Sequence, residues 1–150
     1  MTKTALRRIE FIVLIVIVVI YGLAAYQRNL IWEDNLSLWS DIVKKSPGKA
    51  RGYNYLGLAY HEKGRLDEAI KQYKKGLSIR PFYSNIHNNI GISYFDKGLV
   101  DKAISHFKHA IEINPSHADA HYNLGVAYGE KGLLDQAYSE MRKSNELRKR

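Results

Sequence analysis

Two pairs of histidines have the spacing with which a helix holds a metal ion. His117 and His121 are four residues apart, and His106 and His109 are three apart, so each pair would share one helical face. A zinc ion needs three or four protein ligands, and neither pair has an evident third ligand. We therefore favour a packing role for these histidines and predict no metal site and no cofactor.

The acidic residues lack the arrangement of a general acid facing a general base. Glu62 with Asp67, and Asp96 with Asp101, flank glycine-containing turns as solvated charges. The chain has no cysteine, which excludes thiolate nucleophiles and disulfides. The glycines of GLA, GIS and GVA have helix-packing spacing and form no phosphate-binding loop. These observations predict a protein that is not an enzyme.

The elements that carry these residues repeat every 34 positions from residue 50 onward. The three copies begin NYLGLAYHEKG, NNIGISYFDKG and YNLGVAYGEKG. Repetition at this period indicates stacked supersecondary units that share one continuous core. The equivalent positions are Leu56, Ile90 and Leu124; Gly57, Gly91 and Gly125; Tyr60, Tyr94 and Tyr128; Gly64, Gly98 and Gly132; Ala69, Ala103 and Ala137; Pro81 and Pro115.

The pattern predicts that each unit consists of a helix A, a glycine-containing turn and a helix B. We expect the small residues Gly57 and Ala69 to face each other and to bring the two helices close together. Gly64 should end helix A with a positive φ, and Asp67 should favour the dipole of helix B. Pro81 should end helix B. The pattern therefore predicts an all-α fold.

This pattern resembles the tetratricopeptide repeat (TPR) over residues 50–150. The helix A signature appears as YNYLGLAY, HNNIGISY and HYNLGVAY. The helix B signature appears as Ala69 with Tyr73, Ala103 with Phe107, and Ala137 with Met141. The resemblance implies a right-handed α-solenoid of helix-turn-helix units. The implied units are TPR 1 at 50–83, TPR 2 at 84–117 and TPR 3 at 118–150.

The N-terminal part, residues 1–28, has the composition of a transmembrane anchor. Residues 11–26 contain no charge, and sixteen helical residues rise about 24 Å against a hydrocarbon core of about 30 Å. A cleaved signal peptide is the main alternative, but its apolar region is normally about 7 to 15 residues long. A buried strand would need a second strand-like run, and none exists. We therefore favour an uncleaved, single-pass membrane helix.

The flanking charges predict the orientation of this helix. Lys3, Arg7 and Arg8 precede the apolar run, whereas Arg28 alone follows it until Lys44. By the positive-inside rule the N-terminus is cytoplasmic and the TPR part is extracytoplasmic. In a bacterium this would be the periplasmic side of the inner membrane.

Residues 29–49 are in phase with the repeats. Trp39 and Pro47 lie 34 positions before Tyr73 and Pro81. We expect a half-repeat, a helix B without its helix A, that caps the solenoid and places Trp39 in the aromatic slot of the repeats. For Trp32, such a cap and an aromatic belt at the membrane interface fit equally.

The same junction resembles polytopic glycosyltransferase-like membrane proteins whose last span leads into a C-terminal TPR array. This chain has one apolar run and no intramembrane carboxylate pair, so the resemblance does not imply transferase chemistry. It implies the order of the parts, which is a membrane helix, a half-repeat and a solenoid outside the cytoplasm. As an alternative function, it implies an accessory or regulatory subunit of a membrane glycosyltransferase-type complex. The matching residues are Arg28, Asn29, Trp32, Asp34, Leu38, Trp39, Asp41, Pro47 and Arg51.

The net charge of +8 is concentrated in the first part of the chain. Residues 1–49 carry +3, TPR 1 carries +4, TPR 2 is neutral and TPR 3 carries +1. Lys71, Lys74 and Lys75 lie on helix B, on the outer face of such an array. A solvated outer surface, or one near anionic lipid headgroups, fits these lysines better than a groove for nucleic acid. We expect no nucleic-acid partner.

The TPR register places helix A on the inner face, where a protein or peptide ligand would bind. Asn89 and Asn123 resemble the asparagine ladder with which O-linked N-acetylglucosamine transferases hold a peptide backbone, although Tyr55 breaks the series. We expect these amides to contribute little to the core, and the alternative is that they cap or solvate helix A. The predicted groove comprises Asn54, Tyr55, Leu58, Asn85, Asn88, Asn89, Ile92, Phe95, Tyr122, Asn123 and Val126.

Two further expectations concern TPR 3. The carboxylate clamp of some TPR domains needs basic residues where this chain has Asp119 and Asn123, so we do not expect chaperone C-termini as ligands. Helix B of TPR 3 has no helix A after it, so Leu134, Tyr138 and Met141 are candidates for partial exposure. We expect weak self-association through this C-terminal helix. The sequence as a whole predicts a membrane-anchored TPR scaffold that binds a peptide segment.

Overall fold

A computed structural model describes residue 16 and residues 35–149, and the regular structure of these residues is entirely α-helical. None of the helices in these ranges is both long enough and apolar enough to cross a membrane. The predicted span at 11–26, apart from Val16, lies outside the described residues, as do its flanking charges and Trp32. The helices of residues 35–149 are α1 (Asn35–Lys45), α2 (Ala50–Glu62), α3 (Leu66–Ile79), α4 (Ser84–Asp96), α5 (Val100–Ile113), α6 (Ala118–Glu130) and α7 (Leu134–Arg148).

The chain divides into two compact units, residues 1–38 and residues 39–150. In the second unit, α2 with α3, α4 with α5, and α6 with α7 form three helical hairpins that pack in sequence order. Within the described residues this confirms the predicted all-α, TPR solenoid-like fold.

The turns follow the sequence prediction. Gly64, Gly98 and Gly132 end α2, α4 and α6 with φ values of 70°, 72° and 72°, a conformation that other residues rarely adopt. The N–H of Arg65 then donates to the carbonyl of Tyr60, at 2.9 Å. This bond satisfies a carbonyl at the end of the helix and starts the return of the chain.

The core of each of the first two hairpins forms around an aromatic ring. Tyr73 is 0% exposed and Phe107 is 1% exposed. A Cβ atom on Gly57 would lie 2.3 Å from Tyr73 Cε1, and one on Gly91 would lie 2.5 Å from Phe107 Cε1. We expected Ala69 opposite Gly57, but the nearest atoms belong to the ring one turn further along helix B. The absence of a side chain at Gly57 and Gly91 therefore leaves the space that the rings of Tyr73 and Phe107 fill.

The third hairpin differs, because a methionine stands where the first two have an aromatic ring. A Cβ atom on Gly125 would lie 2.8 Å from Met141 Cγ and 3.0 Å from the carbonyl oxygen of Ala137. Met141 thus occupies the position of the aromatic ring and is half-buried, which agrees with the partial exposure expected for it. Leu134 and Tyr138 are 60% and 75% exposed, as expected.

Ion pairs connect consecutive hairpins. The Lys97 ammonium pairs with the Asp67 carboxylate, and the Lys131 ammonium pairs with the Asp101 carboxylate. In both pairs a lysine in the turn of one repeat meets the aspartate that starts helix B of the repeat before it. Both aspartate side chains are 82% exposed, so each pair contributes little to stability and mainly fixes the stacking of the repeats.

Candidate functional site

The groove begins at Tyr55 on α2, which Trp39 on α1 holds in place. The two rings are stacked, with centroids 4.4 Å apart and planes 15° from parallel. A Cβ atom on Gly52 would lie 3.2 Å from Val43, so α1 packs closely against the first turn of α2. Trp39 is half-buried and stacks on Tyr55, whereas Tyr73 is fully buried and packs against Gly57.

Asparagine pairs cross both junctions between repeats. Asn89 Nδ2 donates to Asn54 Oδ1 at 2.9 Å, and Asn123 Nδ2 donates to Asn88 Oδ1 at 2.9 Å. Asn54 and Asn88 are 5% and 6% exposed, so they lie beneath the predicted groove and not on its surface. The expectation that Asn89 and Asn123 contribute little to the core is therefore wrong, because each satisfies a buried carbonyl oxygen.

Asn89 and Asn123 still have hydrogen-bonding capacity for a ligand. Both are half-buried, and each donates one of the two N–H groups of its amide to the neighbouring repeat. The side-chain oxygen and the second N–H have no other partner among residues 35–149. A peptide backbone offers the complementary carbonyl and amide.

An apolar cavity lies between α4 and α6. It has a volume of about 290 Å³, and five predicted groove residues line it: Ile92, Phe95, Tyr122, Asn123 and Val126. Asp96, which the repeat register also places on the inner face, lies at its edge. Phe107 was not predicted, and its buried ring forms part of the floor. Leu58, also predicted, is half-buried and packs against the core around Tyr73. We refer to this space as the apolar cavity.

A second, basic cavity lies at the N-terminal ends of α2 and α4. It has a volume of about 770 Å³. The sequence analysis found Tyr55 and Asn85 but missed Lys49 and Arg80, because these two lie in connections between helices. The residues that line the basic cavity are Gly48, Lys49, Ala50, Arg51, Tyr55, Ile79, Arg80, Tyr83 and Asn85.

His117 and His121 have structural partners. His117 Nδ1 accepts the N–H of Ala120 at 3.4 Å and so caps α6. His121 is 7% exposed, with Nδ1 2.6 Å from Glu140 Oε2 and Nε2 3.0 Å from the carbonyl oxygen of Pro115. Both ring nitrogens of His121 are therefore satisfied, as is usual for a packed side chain.

Three other histidines meet between α4 and α5. His87 Nδ1 lies 3.4 Å from His106 Nδ1, and the rings of His87 and His109 are 5.7 Å apart. Burial, followed by the nearby His87, lowers the pKa of His106 to about 4. No group of three or more ligands in the described ranges has a geometry suited to a metal ion.

These features define an α-solenoid of stacked helical hairpins with a ligand-sized groove on helix A. A family model described as "TPR repeat" matches residues 57–98 and 93–132, and one described as "Tetratricopeptide repeat" matches residues 118–150. The chain therefore belongs to the tetratricopeptide repeat family, as its sequence pattern predicts.

Solved structures of similar fold include MamA and a peptide-bound TPR domain. MamA has a TM-score of 0.69 and 26% identity, covering 76% of this chain and 67% of that chain. The first TPR of Spaghetti (RPAP3), bound to the HSP90 peptide SRMEEVD, has a TM-score of 0.64 and 28% identity, covering 66% of this chain and 79% of that chain.

A curated relative also matches part of the chain. Protein O-mannosyl-transferase TMTC3 of Homo sapiens is 22% identical over 80 residues, which cover 53% of this chain and 9% of that protein. The matched region is thus a small fraction of the length of that relative.

Proposed function

We propose that this chain is a membrane-anchored TPR scaffold that binds an extended segment of a partner protein along helix A, outside the cytoplasm. The apolar cavity is the observation that carries the proposal. Five residues assigned to a groove from their repeat positions line one concave space of about 290 Å³, a volume that suits a single bulky apolar side chain. Concave apolar sites with a few polar groups are typical ligand sites.

The groove supplies two complementary kinds of contact. An apolar side chain of the ligand would enter the cavity beside Phe95 and Tyr122, where burial of carbon surface contributes most of the affinity. Asn89 and Asn123 would pair with backbone groups of the ligand through their remaining donor and acceptor atoms. The peptide held by the structurally similar RPAP3 domain supports a peptide as the ligand class.

A chaperone C-terminus is not the ligand that we propose. A clamp for a terminal carboxylate needs free cations on α6, whereas Asp119 occupies the first turn of that helix. Asp119 Oδ1 lies 2.8 Å from a guanidinium nitrogen of Arg148, so this site is occupied by an internal ion pair. We therefore propose an internal segment of the partner as the ligand.

Photocrosslinking in native membranes tests the groove. A photoreactive phenylalanine analogue at Tyr122, which is 45% exposed beside the apolar cavity, should capture a discrete partner. The same analogue at Lys108, which is exposed on α5, is the matched control and should not capture it. Val126→Asp in the Tyr122 variant should abolish the capture, because a charge in the cavity is costly to desolvate.

Equal capture from both positions, or capture that survives Val126→Asp, would contradict the groove as the binding site. Circular dichroism of the Val126→Asp variant must show that the helices remain.

Protease protection tests the membrane topology. If residues 11–26 span the membrane with the N-terminus inside, protease added to spheroplasts should digest residues 50–150 and spare the N-terminus. Protection of the repeats in intact spheroplasts would contradict the orientation, and extraction of the chain by carbonate would contradict the anchor.

An accessory or regulatory subunit of a membrane glycosyltransferase-type complex is the alternative function. The similarity to the O-mannosyl-transferase TMTC3 favours this reading, together with the junction motif around Trp39. Copurification from mild detergent tests it. The alternative requires a polytopic glycosyltransferase in stoichiometric amount, and its absence from the captured complex would contradict it.

A further inference from the structure

The basic cavity contains three cationic side chains and no carboxylate. Lys49, Arg51 and Arg80 line it, and no Asp or Glu does. Within the described part of the chain, none of the three forms an ion pair. All three residues are exposed. Their charges therefore add to a positive potential that no neighbouring group of residues 35–149 neutralises.

The repeat itself does not require these charges. One repeat later, the positions of Lys49, Arg51 and Arg80 hold Tyr83, Asn85 and Asn114, which are neutral. Two repeats later they hold His117, Asp119 and Arg148, of which the last two neutralise each other. The three hairpins fold alike with and without these cations. The cations are thus a particular feature of the first junction and not a demand of TPR packing.

Aromatic rings hold both guanidinium groups in place. The Arg51 guanidinium carbon lies 5.5 Å from the centre of the Tyr55 ring, and that of Arg80 lies 5.0 Å from the centre of the Tyr83 ring. Tyr55 is itself stacked on Trp39. A guanidinium over a ring can still donate from its edge, and its N–H groups match the two oxygens of a carboxylate. The cavity is therefore organised for an oxyanion before any ligand arrives.

We propose that the basic cavity binds an acidic side chain of the peptide that occupies the helix A groove. This inference rests on the proposed function, and it specifies the ligand as an acidic segment. A peptide is favoured over a free anion because two predicted groove residues, Tyr55 and Asn85, line the cavity. Asn85 of the basic cavity and Ile92 of the apolar cavity both lie on α4, so one extended chain along this helix would reach both.

Helix α4 sets the spacing between the acidic and the apolar residue of the ligand. Asn85 lines the basic cavity, and Ile92 lines the apolar cavity on the same helix. Seven helical residues rise about 10 Å, and an extended peptide covers that distance in about three residues. The groove therefore selects an acidic residue and a bulky apolar residue about three positions apart.

Two matched peptides test the inference with the full chain in nanodiscs of zwitterionic lipid. Each is a fluorescent peptide with a leucine and, three positions away, either glutamate or glutamine. At low salt we expect the glutamate peptide to bind about fivefold to tenfold more tightly, since charge-assisted hydrogen bonds at an exposed site are of this strength. The difference should shrink as salt is added.

Two charge-matched double variants locate the effect. Arg51→Gln with Arg80→Gln should remove the preference for glutamate, so that the two peptides bind with the same affinity. Lys71→Gln with Lys75→Gln removes the same charge from the outer side of α3 and should keep the preference. All four residues are exposed, so both variants should retain the melting temperature of the parent chain.

The outcomes separate this inference from the proposed function. Equal binding of the two peptides, or a preference that survives the arginine substitutions, would overturn the acidic site and leave the peptide groove standing. Absence of binding by both peptides would overturn the groove and the acidic site together.

Discussion

The second and third repeats fold into the same hairpin, yet two equivalent positions hold different chemistry. In the second repeat, Phe107 fills the space below its glycine and is 1% exposed. In the third, the half-buried Met141 takes that place. His87 of the second repeat lies against His106. The equivalent histidine of the third repeat, His121, lies against Glu140. The repeat thus requires a side chain that fills the space at these positions, but it does not require one chemical type.

The difference follows from how much of each repeat its neighbours cover. The second repeat packs against hairpins on both sides, whereas α7 has no following helix within the described residues. A rigid ring under Gly91 contributes most where neighbours enclose it. A flexible methionine tolerates the incomplete enclosure under Gly125. The second repeat should therefore be the stable centre of the array.

Truncation of the two equivalent core residues gives the largest expected effect. Phe107→Ala should lower the free energy of unfolding by about 3 to 5 kcal/mol, and Met141→Ala by about 2 kcal/mol or less, because Met141 is only half-buried. Urea denaturation followed by circular dichroism measures both. Equal losses would show that the two hairpins are enclosed to the same extent.

Removal of the asparagine pairs should give the next largest effect. Asn89→Ala or Asn123→Ala leaves a buried carbonyl oxygen, of Asn54 or Asn88, without its donor. Each should cost about 1 to 3 kcal/mol of stability. Asn85→Ala is the control, because Asn85 is exposed, and it should change little. Melting temperatures unchanged by Asn89→Ala would mean that water replaces the lost donor.

Acid should weaken the second repeat through its histidine cluster. The pKa of His106 is about 4 in the folded chain, against about 6.5 when unfolded. Between these values the unfolded state binds more protons, so stability is full above pH 6.5 and is lost as the pH falls towards 4. With allowance for partial exposure, the loss from pH 7 to pH 5 should be about 1 kcal/mol.

Variants can distinguish the contribution of His106 to the acid sensitivity from that of the groups around it, which are His87, His109 and Lys74. His106→Gln should remove most of this loss between pH 7 and pH 5. His109→Gln should keep it, because that side chain is 54% exposed. A loss that persists in His106→Gln would assign the acid sensitivity to other groups, and urea titrations at several pH values decide between the two.

Self-association through α7 is the smallest expected effect. Leu134 and Tyr138 are 60% and 75% exposed on a helix without a following partner among the described residues. A small apolar end of this kind supports dimers with a dissociation constant of roughly micromolar. Sedimentation of residues 29–150 should show weak dimers that Tyr138→Lys removes. A monomer at all concentrations would contradict self-association through the exposed side of α7.

Local rules and the repeat period were enough to predict the hairpins, their turns and several residues of the apolar cavity. Gly64 and its equivalents are local requirements, because the chain must adopt a positive φ where helix A ends. The period of 34 residues then placed equivalent residues on one face. This reasoning was enough to find five of the residues that line the apolar cavity.

Only the tertiary structure decided how one repeat meets the next. Asn54 pairs with Asn89, and His61 pairs with Asp96, at separations of 35 residues and not 34. A period identifies equivalent positions, but the rotation between stacked hairpins determines which non-equivalent positions touch. The same rotation places Asn89 against the buried Asn54. Such contacts join helices that are distant in sequence, so no local steric rule could reveal them.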